Sequence, residues 1–340
     1  MALILRTCLA LLLWTCTFAA AAAPIEKREI TIAVGGKAAL YYLPLSLAER
    51  LGYFKDEGLS VEILDFPGGA KSLQAMVGGS ADIVSGGFDH TITMQARGQT
   101  LTAFVLQGTT PAISLGVARS KAVGWKGPQS LKGMKIGVTA PGSSTHMFVN
   151  SLLARGGLGP DDVAIVGVGT GPSAVAAVRA GHVDAIANIE PVITMLERSG
   201  SIAVQVETVS EKGSRALFGA TLPSGCLYTK ATFLRDNPAA VQALTNAMVR
   251  ALHWLAKAAP DEVAGTVPRD YLLGDKALYL AAFERQRQSY SRDGRIPPDG
   301  AVAMHRVLAG FEPSVRESRG IDVSATYTNR FVEAALAAGH

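Results

Sequence analysis

Two stretches of this chain carry the same alternation of apolar and polar positions. The first runs from Val61 and Ile63 through Pro67-Gly68-Gly69 and an apolar-periodic segment to Gly79 and Asp82. The second runs from Val163 and Ile165 through Gly169-Thr170-Gly171 and a similar segment to Gly181 and Asp184. Laid over each other without a gap, Val61 falls on Val163, Ile63 on Ile165, Gly69 on Gly171, Gly79 on Gly181 and Asp82 on Asp184. Short apolar runs bounded by glycine predict strands, and apolar positions three or four apart predict amphipathic helices. One more strand, loop and helix precedes each copy: residues 30–35 with 44–51, and residues 135–138 with 145–154. Two β-α-β-α-β units in series predict an α/β fold, with parallel sheets covered by helices on both faces. They imply two doubly wound lobes with a ligand cleft between them, facing the carboxyl ends of the strands.

The remaining pattern joins the lobes. An apolar strand at 112–118 is expected to cross into the second lobe, followed by a turn-rich connector at 121–132. Apolar runs at 216–222 and 226–229, around Pro223-Ser224-Gly225, are expected to carry the chain back. Two crossings form a hinge. This places 24–118 and 223–340 in lobe 1 and 119–222 in lobe 2. From Lys230 onward the periodicity is helical, at 238–258, 275–288, 298–310 and 325–338. Asn237 is the expected cap, with Pro238 at the first helical position.

Residues 1–23 read as a secretory signal peptide: Arg6, an apolar run from Leu9 to Trp14, and a small-residue cleavage region at 19–23. The apolar segment is short for a membrane span. Leu13-Trp14-Thr15-Cys16 is a poor lipoprotein box, so a soluble exported protein is expected. Beyond that leader the only cysteine is Cys226, which excludes an internal disulfide and a cysteine zinc site. The formal net charge of +4 falls by one when Arg6 is removed, and no Lys/Arg run suggests a nucleic-acid face.

The candidate chemistry centres on Lys135-Ile136-Gly137-Val138-Thr139-Ala140-Pro141-Gly142-Ser143-Ser144-Thr145-His146. A strand, a small-residue loop and a helix start put unpaired N–H groups and a positive dipole end where an anion binds. Ser143, Ser144 and Thr145 add hydroxyls for a ligand; the structural alternative is that one of them only caps the helix. Ser143, His146 and Glu190 have the residue types of a hydrolytic triad, but Ser143 and His146 share one helix start without a strained nucleophile turn. Cys226, in an apolar run, reads as core. The histidines at 90, 146, 182, 253, 305 and 340 show no metal-binding spacing.

The stretch Pro44-Leu45-Ser46-Leu47-Ala48-Glu49-Arg50-Leu51-Gly52-Tyr53-Phe54-Lys55-Asp56-Glu57-Gly58-Leu59-Ser60-Val61-Glu62 closely resembles the opening motif of the periplasmic substrate-binding proteins of ABC importers. The group is the nitrate/sulfonate/taurine class, similar also to the thiamine-pyrimidine-precursor proteins. Leu73 to Ile83 follows at a family-like distance, and Leu131-Lys132-Gly133-Met134-Lys135-Ile136-Gly137-Val138 resembles the start of the second lobe. The resemblance implies a type II periplasmic binding protein that closes on one solute, delivers it to an ABC permease, and performs no chemistry. It implies a periplasmic monomer with no cofactor, no metal and no nucleic-acid partner. The implied solute contacts are Lys37, Ala38, Tyr41 and Tyr42 in the first loop, Phe88 and Asp89 after the third strand, and Thr109 near the crossing. In the second lobe they are Ser143, Ser144, Thr145, Gly171, Asn188 and Glu190. A small organic solute bearing a carboxylate or sulfonate is expected, with an aromatic or heterocyclic part that Tyr41 and Tyr42 would face. If Asp89 and Glu190 both face it, their charges disfavour a pure anion; if they cap helices instead, that objection falls. A solute sensor signalling to a membrane partner, and a periplasmic hydrolase, are the alternatives.

Overall fold

The structure, a computed structural model, describes residues 24–340; the expected signal peptide lies outside them. Ten strands form two five-stranded sheets. The first contains β1 (Glu29–Val34), β2 (Ser60–Asp65), β3 (Ile83–Gly87) and β4 (Leu101–Leu106). The second contains β5 (Ser114–Ala118), β6 (Lys135–Val138), β7 (Ala164–Gly167), β8 (Ala185–Asn188) and β9 (Ile202–Glu207). Strand β10 (Gly225–Lys230) returns to the first sheet. The orders are β2-β1-β3-β10-β4 and β7-β6-β8-β5-β9, so the sheets share one topology. In each, the first three strands are parallel and the fourth position is held by an antiparallel strand. That strand comes from across the hinge: β10 follows β9 of the second sheet, and β5 follows β4 of the first. The sheets are therefore mixed, where the sequence pattern predicts parallel ones. Strand β5 pairs with β8 and β9, so the segment expected to stay in the first lobe as far as residue 118 has already crossed by Ser114.

The repeat has a physical counterpart at Asp82 and Asp184. Asp82 Oδ2 accepts from Thr31 N–H at 2.9 Å, and its other oxygen meets Lys27 Nζ at 2.6 Å. Asp184 Oδ2 accepts from Lys135 N–H at 2.8 Å, and its other oxygen meets Lys121 Nζ at 2.7 Å. Each carboxylate ties down an amide near the start of the strand that opens its β-α-β-α-β unit. Gly79 and Gly181, also matched, both adopt left-handed backbone (φ 85° and 69°) where helices turn back into strands.

The helix Pro238–Lys257 buries Val241, Leu244, Met248, Leu252 and Leu255, packing against the helices Leu43–Arg50 and Arg330–Ala337. Side chains of that size contribute about 1.5–3 kcal/mol each when fully buried. The helices Lys276–Gln286 and Pro298–Ala309 complete this buttress. Asn237 does not cap the long helix: its side chain donates to Phe233 O at 3.2 Å. The Glu26 carboxylate takes that role, accepting from Ala239 N–H at 3.1 Å and Ala240 N–H at 3.2 Å. A strand-side carboxylate thus fixes the buttress to the start of the first sheet.

Slight burial raises the Glu26 pKa, but the amide hydrogen bonds outweigh it and hold the carboxyl below its usual value of 4.5. A depressed carboxyl stabilises the fold above its unfolded pKa and loses that contribution as pH falls through the folded one. Replacement Glu26→Gln is expected to cost about 0.5–1 kcal/mol at neutral pH, as loss of an exposed cap does. Urea melts at several pH values should show the gap closing below the ordinary carboxylate range. A gap independent of pH would mean that the charge is not what caps the helix.

Candidate functional site

The carboxyl ends of β1, β2 and β3 each run into a glycine pair: Gly35-Gly36, Gly68-Gly69 and Gly86-Gly87. These pairs let the lobes approach backbone to side chain. A Cβ on Gly36, whose φ is +110°, would overlap Thr170 Oγ1 of the second lobe. A Cβ on Gly87 would overlap Ser144 Oγ and Asp89 Oδ1, and one on Gly68 would come within 2.9 Å of Ala140 Cβ. Glycine at these strand ends serves close approach, and what approaches is the second lobe.

Polar groups cross between the lobes at these points. Ser143, buried at the start of the helix Ser144–Arg155, does not cap its own helix. Its Oγ accepts from Ala70 N–H at 2.9 Å and so caps the helix Gly69–Val77 of the first lobe. Ser144 Oγ donates to Asp89 Oδ1 at 2.7 Å. Leu40 N–H donates to Glu190 O at 3.0 Å. Thr145 stays within its lobe, its Oγ1 accepting from Thr139 N–H at 3.0 Å and fixing the turn after β6.

A cavity of about 30 Å³ lies between the lobes. Gly35, Tyr41, Tyr42, Gly69 and Gly87 line it from the first lobe, and Thr139, Ser143, Ser144, Thr145, Thr170 and Ile189 from the second. An apolar chamber of about 40 Å³ adjoins it, sharing Ser144 and reaching Asp89, Met147, Phe148, Phe218 and Met304. Two grooves are larger: one of about 460 Å³ on the C-terminal helices, and one of about 510 Å³ at the outer edge of the lobe junction, which shares Thr139 with the cavity and is lined by Pro67, Lys71 and His182. The cleft is the better candidate because buried polar side chains from both lobes converge on it.

Tyr41 and Tyr42 stand edge to face at 5.1 Å, and Tyr41 Oη lies 2.7 Å from Ser224 Oγ. His90 Nδ1 lies 2.9 Å from Tyr228 Oη. Burial above all holds the phenols of Tyr41, Tyr42 and Tyr228 and the Cys226 thiol above their ordinary pKa ranges, and nearby Asp89 adds to it. These phenols stay protonated at neutral pH. His90 Nε2 and Asp89 Oδ2 are buried without a hydrogen-bond partner.

Several expected contacts fall outside this cleft. Lys37 Nζ pairs with Glu49 Oε1 at 3.1 Å, and its N–H donates to Asp65 Oδ1, so its charge does not reach the cavity. Ala38 packs on the apolar core. Phe88, expected as a wall, is fully buried edge to face with Tyr327. Thr109 bonds to Ser289 O. Gly171 begins the helix Pro172–Arg179, and its neighbour Thr170 lines the cavity instead. Asn188 is satisfied internally, donating to Gly169 O and accepting from Ile189 N–H, both at 2.9 Å. Ser143, His146 and Glu190 do not assemble a triad: His146 Nδ1 accepts from Gly142 N–H at 3.0 Å, while Glu190 turns elsewhere.

Glu190 Oε2 accepts from Thr194 N–H at 3.0 Å, capping the helix Val192–Arg198. Its Oε1 lies 3.3 Å from Arg285 Nε, an ion pair without hydrogen-bond alignment. Arg285 also reaches Glu197 Oε2 at 2.7 Å. Arg285 comes from the helix Lys276–Gln286, so it clasps the second lobe from the buttress of the first. Nothing local in the sequence marks it.

Burial raises the Glu190 pKa, and Arg285 pulls it back. Removing the guanidinium leaves a buried carboxylate uncompensated, so Arg285→Met should lower stability by about 1–3 kcal/mol at pH 7, scaled down for a partly exposed arginine. An acid whose folded pKa lies above its unfolded one gains a proton first in the folded state as pH falls, which stabilises that state. The deficit should therefore shrink between pH 7 and pH 5 in denaturant titrations. A deficit unchanged over that range would detach Arg285 from the Glu190 charge.

Among the described residues no His, Cys, Asp or Glu cluster is placed to hold a metal, and no helix is long and apolar enough to cross a membrane. A solved protein of Bordetella bronchiseptica RB50 is 50% identical, with a TM-score of 0.90 over 93% of this chain and 99% of its own. The alkanesulfonate-binding protein SsuA from Xanthomonas axonopodis pv. citri, solved with MOPS, is 22% identical, with a TM-score of 0.70 over 90% of this chain and 100% of its own. The fold is thus that of the type II periplasmic binding proteins. A Candida albicans (strain WO-1) relative, 29% identical over 238 residues and 68% of each chain, is named 4-amino-5-hydroxymethyl-2-methylpyrimidine phosphate synthase. That name overturns the expectation that the resemblance implies no chemistry, since relatives of this chain include an enzyme. Residues 39–263 match the family described as NMT1/THI5 like, and the chain belongs to that family.

Proposed function

We propose that this chain is an exported, monomeric solute-binding component of an ABC importer. It captures one small organic solute between its lobes in the periplasm and presents it to the permease. One observation carries the reading: buried polar groups from both lobes converge on one interlobe cavity. Hinge closure around a solute is a known mode of motion for two lobes joined by two crossings. The likeness in fold to SsuA supports the same reading. The ligand-facing residues proposed are Tyr41, Tyr42, Asp89, Ser143, Ser144, Thr145 and Thr170. The expected carboxylate or sulfonate draws support from the SsuA name and none from the charges around the cavity.

A thermal-shift screen of ligand-stripped protein against sulfonates, nitrate, taurine, aromatic carboxylates, amino acids and pyrimidines tests this. A true solute at a hundredfold excess over its dissociation constant stabilises the fold by about 2.7 kcal/mol. Ser144→Ala and Tyr42→Ala should each weaken that solute at least tenfold while melting cooperatively without it. A hit that binds both variants at wild-type strength would place the solute outside the cleft and contradict the proposal.

A further inference from the structure

The cavity and chamber are lined by one carboxylate; the His90 ring stands 3.5 Å from where a Gly69 Cβ would lie, and Lys71 and His182 line the outer interlobe groove. Asp89 is 4% exposed and reaches the apolar chamber between the lobes. One of its oxygens accepts from Ser144, and the other, Oδ2, is buried without any partner. No Lys, Arg or His lines either the polar cavity or the chamber. The one lysine among the expected solute contacts, Lys37, has its ammonium paired with Glu49. The second-lobe helix start, where an anionic solute was expected, already has its Ser144 hydroxyl committed to the Asp89 carboxylate. A second negative group brought there would meet Asp89 at short range in a medium of low dielectric, with no lysine or arginine lining the cavity to offset it. A buried carboxylate oxygen lacking a donor is satisfied at least cost by a charged N–H donor.

The rest of the chamber describes the body of such a ligand. Met147, Phe148, Phe218, Leu222, Met304 and Leu308 form its walls. Met147 and Phe148 belong to the helix Ser144–Arg155 of the second lobe, whereas Met304 and Leu308 belong to the helix Pro298–Ala309 of the first-lobe buttress. Separation of the lobes therefore enlarges the chamber, and a flexible methionine on each side adjusts to the occupant.

We propose that the solute is an organic cation: a protonated amine or amidine held against Asp89, on a small apolar body seated in the methionine- and phenylalanine-lined chamber. This rests on the solute-capture reading and narrows it to one charge class, in place of the expected carboxylate or sulfonate.

The isosteric probes benzamidine, benzoate and benzenesulfonate test it, by thermal shift and calorimetry on ligand-stripped full-length mature protein at neutral pH. Benzamidine is expected to bind and the two anions are not. Asp89→Asn should weaken benzamidine at least tenfold, and Met147→Trp, which fills the chamber from a partly exposed wall, should weaken it while keeping the preference for cation over anion. Circular dichroism of each variant checks that it is folded, and the wild-type comparison decides the matter if Asp89→Asn is not. Absence of benzamidine binding, tighter binding of either anion, or benzamidine binding unchanged in folded Asp89→Asn or Met147→Trp would overturn the inference. Anion binding that Ser144→Ala abolishes would overturn the cation while leaving solute capture standing.

Discussion

The structure depends on how closely two backbones approach where the lobes meet. Three strands of the first sheet end in glycine pairs, and at those points a side chain on the first lobe would occupy space that Thr170, Ala140 or Ser144 of the second lobe fills. Glycine is needed there for the room it leaves, and at Gly36 for its left-handed backbone as well. With no Cβ in the way, the amide of Ala70 reaches Ser143 and the carboxylate of Asp89 reaches Ser144. The matched strand order of the two sheets is what brings these loops face to face, since the carboxyl ends of both parallel triplets open on the same cleft.

The chemistry of that contact suits reversible closure. The bonds joining the lobes at the cavity are single hydrogen bonds, each contributing about 0.5–1.5 kcal/mol net. The Arg285 clasp on Glu190 and Glu197 adds a charged contact at the outer side. A few such bonds total only a few kcal/mol, which is the scale on which a ligand shifts a two-state equilibrium. Apolar packing adds to them: one buried cluster runs from the first lobe, with Ile30 and Leu45, into the second, with Ile136 and Phe148, and continues beneath the C-terminal helices, where Leu244, Met248 and Phe283 are fully buried.

Much of this architecture was legible in the sequence. The gapless repeat, with Asp82 on Asp184 and Gly79 on Gly181, anticipated two lobes of like topology, because those residues do the same local work in both copies. The long helices followed from period and proline placement. What pattern reading missed is side-chain direction and long-range partnership. Lys37 and Phe88 sit in the expected loops, but one turns to Glu49 and the other into the core. Ser143 looks like the cap of its own helix and instead caps a helix of the other lobe. Asn237 loses its expected role to Glu26, more than two hundred residues away. Arg285 belongs to a helix whose sequence says nothing of a cleft. Each of these depends on which surfaces meet after folding, and a local pattern does not encode that.

Amide hydrogen exchange at Ala70 and Leu40 tests interlobe closure most directly, because both amides donate across the cleft, to Ser143 Oγ and to Glu190 O. A bound solute is expected to slow exchange at these two amides while leaving the within-lobe amides of Thr31 and Lys135 unchanged. Equal slowing at all four, or none at Ala70 and Leu40, would contradict closure of the lobes around a solute.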